Sequence, residues 1–305
     1  MDRFEAMTLL LAVVDQGSFS AAGRELRVPV PTLSRKLSEL EALLGIRLLI
    51  RTTRRLTLTD AGLTYVAAAR RIVGQVEEAE REAAGEFVAP RGDLVITAPV
   101  MFGRLHVLPA VADFLALFPD INVRLVLSDR NVDLVDDHID MAVRIGRLPD
   151  SAMIATQVGT MRSLVCASPS LLASHGVPQT PGDLKHLPCV AVDMPLPSSG
   201  WRFRTTKTSA EFAVTIVPRL TVTTAAAAVD AAILGVGAVR LLHYQAADAI
   251  RAGTLGIILD AFEPEPAPIH LIHLSRGQMP LKMRRFLDFA APRLRDSIAA
   301  LGSRR

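Results

Sequence analysis

The chain is poor in the residues that build small cross-linked or metal-held proteins. Two cysteines in 305 residues exclude a disulfide scaffold, and they exclude a zinc ribbon, which needs four ligands. Nineteen glycines and nineteen prolines are too few for a collagen-like or linker-dominated chain. Aromatic residues make up only 5%, with a single Trp. Long apolar runs are also scarce for a mean hydropathy of +0.32. Met7–Val14 is short and follows Asp2 and Glu5, where a signal peptide carries basic residues. Ala225–Val239 is interrupted by Asp230 and is shorter than the ~20 residues of a spanning helix. These runs predict a soluble, cytoplasmic chain with no membrane partner.

What is present is material for several cores. Hydrophobic residues are 50% and charged residues 21% of the chain, which excludes a mainly disordered protein. The length predicts two or three domains at ~100–200 residues each. The net charge of +3 says little by itself; its distribution says more. Between Ile46 and Arg55 stand Arg47, Arg51, Arg54 and Arg55 without an acid, whereas Glu77, Glu78, Glu80, Glu82 and Glu86 surround one Arg81. A basic contact surface beside a solvated helix is the expected reading.

Phe4, Met7, Leu11 and Val14 recur at spacings of three and four and predict the buried face of a first helix. Gly17 breaks it, and Ser18 or Ser20 caps a short second helix through Leu26. After a turn over Arg27–Val30, Pro31 fits the first position of a third helix, with Leu33, Leu37, Leu40 and Leu44 as its core stripe. Thr32, Ser34, Arg35, Lys36 and Glu39 are left on other faces. Helices in this order predict a helix-turn-helix, in which the stripe anchors the third helix and its first polar residues enter a major groove. Ser34 suits a phosphate or a base edge, and Arg35 a guanine or a phosphate. Two β-rich runs flank Thr52–Arg55 and predict a hairpin whose basic tip meets phosphates or a narrow minor groove. Each piece also has a plain structural reading: the striped helix as core, the charged hairpin as solvated surface.

The segments Phe19–Leu26, Pro31–Gly45 and Arg51–Gly62 resemble the second helix, the recognition helix and the wing of LysR-type transcriptional regulators. The resemblance implies DNA contacts at the positions of Pro31, Thr32, Ser34 and Arg35 and at a wing arginine. With the basic neighbours, the candidate set is Pro31, Thr32, Ser34, Arg35, Lys36, Arg51, Arg54 and Arg55. The family often carries Gln or Ser where Val30 stands and Phe where Leu49 stands. Val30 has no hydrogen bond to offer and suits a thymine methyl instead.

Thr59 caps a further helix from Asp60. Val66, Ala69, Val73, Val76, Glu80, Ala83 and Phe87 follow a three-four spacing that reads as a coiled-coil seam, interrupted by Glu80, or as one amphipathic helix lying on its own domain. The resemblance favours a linker helix that dimerises. Ala89–Asp93 ends it. From there strand-like and helix-like runs alternate: strands at Leu94–Ala98, Ile121–Leu127, Asp140–Gly146, Ser163–Ala167, Cys189–Val192, Gly237–Leu241 and His270–Leu274, helices at Phe102–Phe118, Val132–Asp137, Pro169–His175 and Thr224–Leu234. That alternation predicts α/β sheets with crossover helices. Pro99–Gly103 and Thr221–Thr224 lead from strand to helix, where free N–H groups favour an anion. A small carboxylate is therefore the expected ligand, with ordinary strand–helix caps as the alternative.

Arg91–Arg104, Asp140–Gly146, Gly235–Val239 and Pro280–Phe289 resemble the effector domain of the same family. The resemblance implies a periplasmic-binding-protein-like fold of two lobes, with an effector pocket at Pro99, Val100, Phe102, Ser128, Arg144, Thr223 and Thr224. The expected organisation is an N-terminal winged helix-turn-helix over 1–59, a long linker helix over 60–88 and a two-lobed α/β effector domain over 89–305. Lobe I is expected at about 92–162 and 268–300, lobe II at about 163–267. The expected partners are double-stranded DNA, a small and possibly organic-acid effector, and further copies in a homodimer or homotetramer.

No catalytic motif stands in its required context, and no cofactor or metal is expected. Cys166 and Cys189 sit in apolar runs and read as inert. His270 and His273, three apart on a strand, point to opposite faces. Gly235-Val-Gly237 reads as a helix cap, Ser198-Ser-Gly200 is no nucleophile elbow, and Trp201 reads as core. Two rivals remain open: a DNA binder that needs no ligand, and an α/β enzyme or carrier with an N-terminal dimerisation module.

Overall fold

The computed structural model describes residues 2–51, 56–83, 90–130, 132–148, 153–193, 200–205, 210–274 and 279–302. The chain divides into two compact units, Met1–Val88 and Ala89–Arg305.

In the first unit, α1 (Arg3–Asp15) is capped by Asp2, whose carboxylate accepts the Phe4 N–H at 2.9 Å. Its buried face is Ala6, Leu9, Leu10 and Val13, one step round from the expected Phe4, Met7, Leu11 and Val14, which are only half-buried. Both sets have helical spacing, and α1 is apolar nearly all round, so its neighbours choose the face. Ser18 caps α2 (Phe19–Leu26) through the Ala21 N–H at 3.1 Å. The helix α3 spans Val30–Leu44, so Pro31 takes the second position rather than the first. Leu33, Leu37 and Leu40 are buried, but Leu44 is 37% exposed. The helix ends at Gly45 in a left-handed conformation (φ 68°), and Leu48 and Leu49 fill the core instead.

Strands β1 (Leu49–Arg51) and β2 (Leu56–Leu58) pair antiparallel with Leu49 opposite Leu58. The expected hairpin tip at Thr52–Arg55 lies outside the described residues. Helix α4 runs over Asp60–Ala83, capped by Thr59, whose hydroxyl accepts the Gly62 N–H at 2.9 Å. Of the expected seam, Val66, Ala69 and Val73 are buried. Val66 joins the core of α1 and α3, and Arg70 forms an ion pair with Asp15 of α1. The first turns of the seam therefore serve their own domain, which is the amphipathic alternative. Val76 is half-buried and Glu80 exposed; the Ala83 side chain and Phe87 lie outside the described residues.

The second unit holds two mixed sheets. The first joins β3 (Gly92–Ala98), β4 (Ile121–Leu127), β5 (Met141–Ile145), β6 (Met153–Met161) and β14 (Ala267–Leu274) in the order β4-β3-β5-β14-β6. Here β3 runs parallel to β4 and β5, and β14 antiparallel to β5 and β6. The second joins β7 (Ser163–Ala167), β8 (Cys189–Val192), β11 (Pro218–Val222), β12 (Ala238–Leu242) and β13 (Gly256–Ile258) in the order β11-β8-β12-β7-β13. A hairpin of β9 (Trp201–Arg204) and β10 (Glu211–Val214) stands apart, and Trp201 packs into the core.

The chain passes from the first lobe to the second at Arg162 and returns beyond Glu263. These two residues form a two-pronged ion pair, with Nε and an Nη of Arg162 at 2.9 and 2.7 Å from the carboxylate, so the two crossovers are tied together. The expected helix at Phe102–Phe118 begins earlier: α5 (Val100–Phe102) continues through a π turn at Gly103–Val107 into α6 (Leu108–Leu117). Among the described residues, Val100–Leu117 is the one helix long and apolar enough to cross a membrane. Its Phe102, Val107, Val111 and Phe114 lie in the core of the first lobe with Phe286 of α10 (Leu281–Gly302), as a core helix of a globular domain places them.

The expected helix at Val132–Asp137 is a turn. Asp133 Oδ1 accepts the N–H of Val135 at 2.7 Å and of Asp136 at 3.1 Å, and this local bonding competes with the helix. Helix α7 (Pro169–His175) follows β7 as expected. In the second lobe, α8 (Ala225–Ile233) presents Ala225, Ala228, Ala231 and Ala232 to the sheet, small enough for close packing beside α9 (His243–Arg251). Tyr244 of α9 crosses into the first lobe's core, edge-on to Phe102 at 5.4 Å.

Candidate nucleic-acid interface and effector cleft

The outer face of α3 carries the candidate DNA residues. Pro31 is exposed, and Thr32 and Ser34 are half-buried. The Arg35 side chain is 64% exposed and reaches Glu39 one turn on, at 2.5 Å. Such an exposed pair is weak, so the guanidinium is readily given up to a phosphate or a guanine. Lys36 is placed differently. Its ammonium is paired with Glu5 of α1 and its side chain is 22% exposed. It ties α3 to α1 rather than reaching outward. Val30 is exposed beside Pro31. The cap residue Pro29 makes no side-chain hydrogen bond, and the first turn of α3 has no acid, so neither its cap nor its own first turn neutralises the positive end of this helix. Arg51 ends β1, its side chain outside the described residues, as are Arg54 and Arg55.

The candidate effector residues separate into three groups. Pro99, Val100 and Ser128 lie at the adjacent carboxyl ends of β3 and β4, joined by a bond from the Ser128 N–H to the Ala98 carbonyl at 3.0 Å. Met101 packs against the cores of both lobes, which places this end at the junction between them. Phe102 does not belong there: it is 0% exposed and stacks within the core on His106 at 4.7 Å. The helical spacing turns it inward. The first N–H of the helix, that of Val100, is taken by Asp129 Oδ1 at 3.0 Å. Sequence reasoning missed Asp129, because its partner stands 29 positions away and only the pairing of β3 with β4 brings them together. The Ser128 hydroxyl closes its own turn by accepting the Arg130 N–H at 3.2 Å.

Arg144 stands near the carboxyl end of β5, next to β3. It is half-buried and donates to the carbonyls of Val132 at 3.0 Å and Val143 at 3.3 Å. Loss of water around the guanidinium holds its pKa below the ordinary arginine value. Thr223 and Thr224 follow β11 and are exposed. The Thr224 hydroxyl accepts the Ala227 N–H at 3.3 Å and so caps α8.

Elsewhere, Cys166 and Cys189 pack into the cores on opposite faces of the second lobe's sheet. Burial pushes their thiols up to about 12 and about 11, which disfavours the thiolate that redox chemistry uses. Among the described residues, no group of three His, Cys, Asp or Glu is placed to hold a metal.

Comparison with known proteins assigns both units. Residues 4–63 match the model for the bacterial regulatory helix-turn-helix protein, lysR family. Residues 89–295 match the model for the LysR substrate binding domain. An HTH-type transcriptional regulator of Xanthomonas campestris is 41% identical over 177 residues, covering 58% of this chain and 52% of that one. The probable HTH-type transcriptional regulator LtrA of Klebsiella pneumoniae is 30% identical over 97% of this chain and 95% of its own. Among solved structures, CrgA, a LysR-type transcriptional regulator from Neisseria meningitidis, superposes with a TM-score of 0.60 at 30% identity, covering 95% of this chain and 98% of that one. These relatives are transcriptional regulators, and the chain belongs to the LysR family of DNA-binding transcriptional regulators.

Proposed function

We propose that this regulator acts in the cytoplasm as a dimer or tetramer. In this reading, α3 enters the major groove with Pro31, Thr32, Ser34 and Arg35 at its open end, and Arg51, Arg54 and Arg55 of the wing flank it. Two such helices would meet the halves of a pseudo-palindrome. Lys36 acts in the fold rather than at the DNA.

We also propose that the effector is a small organic anion and that Arg144 is its principal cation. One observation carries this: a half-buried guanidinium whose described partners are two backbone carbonyls. A buried charge without a counter-charge is costly, and a carboxylate would offset that cost with bidentate bonds. The helix ends are poorer seats. Asp129 already fills the Val100 N–H, and Thr224 that of Ala227. Binding shifts the regulator only if the effector's affinity differs between two arrangements of the lobes or subunits.

Calorimetry of the full chain against a panel of small organic acids tests the effector proposal. Binding by at least one acid, weakened about 30-fold or more by Arg144→Gln, is expected. Equal binding by Arg144→Gln contradicts the assignment. Binding by none favours the ligand-independent reading, to which the two self-filled helix ends lend support.

A further inference from the structure

Three elements of the DNA-binding unit meet at one point. Near the end of α3, Glu41 turns its carboxylate toward the chain that enters β1. A single oxygen, Oε1, accepts the Leu48 N–H at 2.7 Å and the Leu49 N–H at 3.0 Å. The same segment is held from its other side by Thr59, which follows β2. The Thr59 N–H donates to the Leu48 carbonyl at 3.0 Å, and its hydroxyl donates to the Arg47 carbonyl at 2.7 Å. That hydroxyl also accepts the Gly62 N–H that starts α4. A Cβ on Gly62 would stand 2.1 Å from the Leu48 carbonyl oxygen, so α4 presses directly on the base of the hairpin and tolerates only glycine there.

We infer that Glu41 is a positioning residue for DNA binding: it fixes the angle of the wing against the recognition helix, so that one rigid body brings both to the duplex. The ladder between β1 and β2 is three residues long, too short to set the hairpin's direction by itself. The N–H groups of Leu48 and Leu49, at the base of that ladder, are bonded to α3 instead. An ionised acceptor makes these bonds stronger than neutral ones, and half-burial keeps water from replacing them cheaply. A depression lined by Ser38, Ala42, Ile46 and Arg47 opens beside the carboxylate, so packing alone does not wedge the strand in place. The inference rests on the reading that wing arginines touch DNA.

The test uses the full chain and a duplex selected from random sequence by the wild type. Affinity, its salt dependence and the hydroxyl-radical footprint are measured for Glu41→Ala, Glu41→Gln, Arg54→Ala with Arg55→Ala, and the combination of the arginine pair with Glu41→Ala. Glu41→Ala is expected to bind about 30-fold more weakly, with the salt slope reduced by about 0.9 for each phosphate that the wing no longer neutralises. The flanking protections should fade while those at the major groove persist. Glu41→Gln keeps an acceptor oxygen but loses its charge, and its affinity should fall between those of the wild type and Glu41→Ala. The arginine pair should cost little more once Glu41 is Ala.

Three outcomes overturn the inference alone: a large effect of the arginine pair with none from Glu41→Ala, a Gln variant as weak as the Ala variant, or uniform loss of all protections together with a lowered melting temperature. No effect of the arginine pair removes the wing from the interface and overturns both readings.

Discussion

Helix α3 and the helices that begin at Val100 and Ala225 treat their positive ends in opposite ways. In the DNA-binding unit, α3 begins after Pro29 with no side-chain cap and no acid in its first turn, beside an exposed Arg35. In the effector domain, the Val100 end is closed by the Asp129 carboxylate and the Ala225 end by the Thr224 hydroxyl. In the proposed reading, the same partial charge is left open where DNA is met and is satisfied internally where a small ligand is chosen. Phosphate binding tolerates a general electrostatic attraction. A selective cleft does not, because an open helix end would accept any anion.

Three substitutions sharpen or break this contrast. Arg35→Glu puts an acid beside the open end of α3, and the expected loss of DNA affinity is the largest, about 100-fold or more at moderate salt by fluorescence anisotropy. A change under threefold would mean that α3 is not at the DNA. Asp129→Ala opens the closed end. The expected cost is about 1–2 kcal/mol of stability, partly restored by added sulfate in a thermal melt. Equal loss with and without sulfate would show that the end is shielded by more than Asp129. Lys36→Ala should do least. Removing a surface pair costs under about 1 kcal/mol, and DNA affinity should stay within about threefold, whereas a much larger loss of binding would return Lys36 to the interface.

The contrast also explains what is legible in the sequence. The DNA-binding unit is built from local signals: a serine cap for α2, a leucine stripe for α3, a threonine cap for α4, all readable within a few residues. Even there the buried face of α1 differs from the expected one, because Ala6 and Leu10 share the spacing of Met7 and Leu11. Leu44 leaves the expected stripe because Leu48 and Leu49 replace it, and nothing local shows that they do. Many effector-domain elements are legible by alternation, including β4, β7, β8 and α7 at their full extents. The cleft is not. Phe102 follows two candidate lining residues in sequence yet turns into the core. Asp133 gives a helical-looking segment a bonding alternative. Asp129 and Arg144 gain their meaning only when parallel pairing sets the ends of β3, β4 and β5 side by side. Glu41 belongs to the same class, since its partners lie beyond a turn whose course no periodicity shows.

The central claim is that the open end of α3 reads the major groove. Methylation of guanine N7, an atom displayed in that groove, tests it most directly on the selected duplex. The account predicts that methylation blocks binding in two patches about one helical turn apart, with the interference weakened in Arg35→Ala. Binding indifferent to N7 methylation, with contacts confined to the backbone and minor groove, would contradict it.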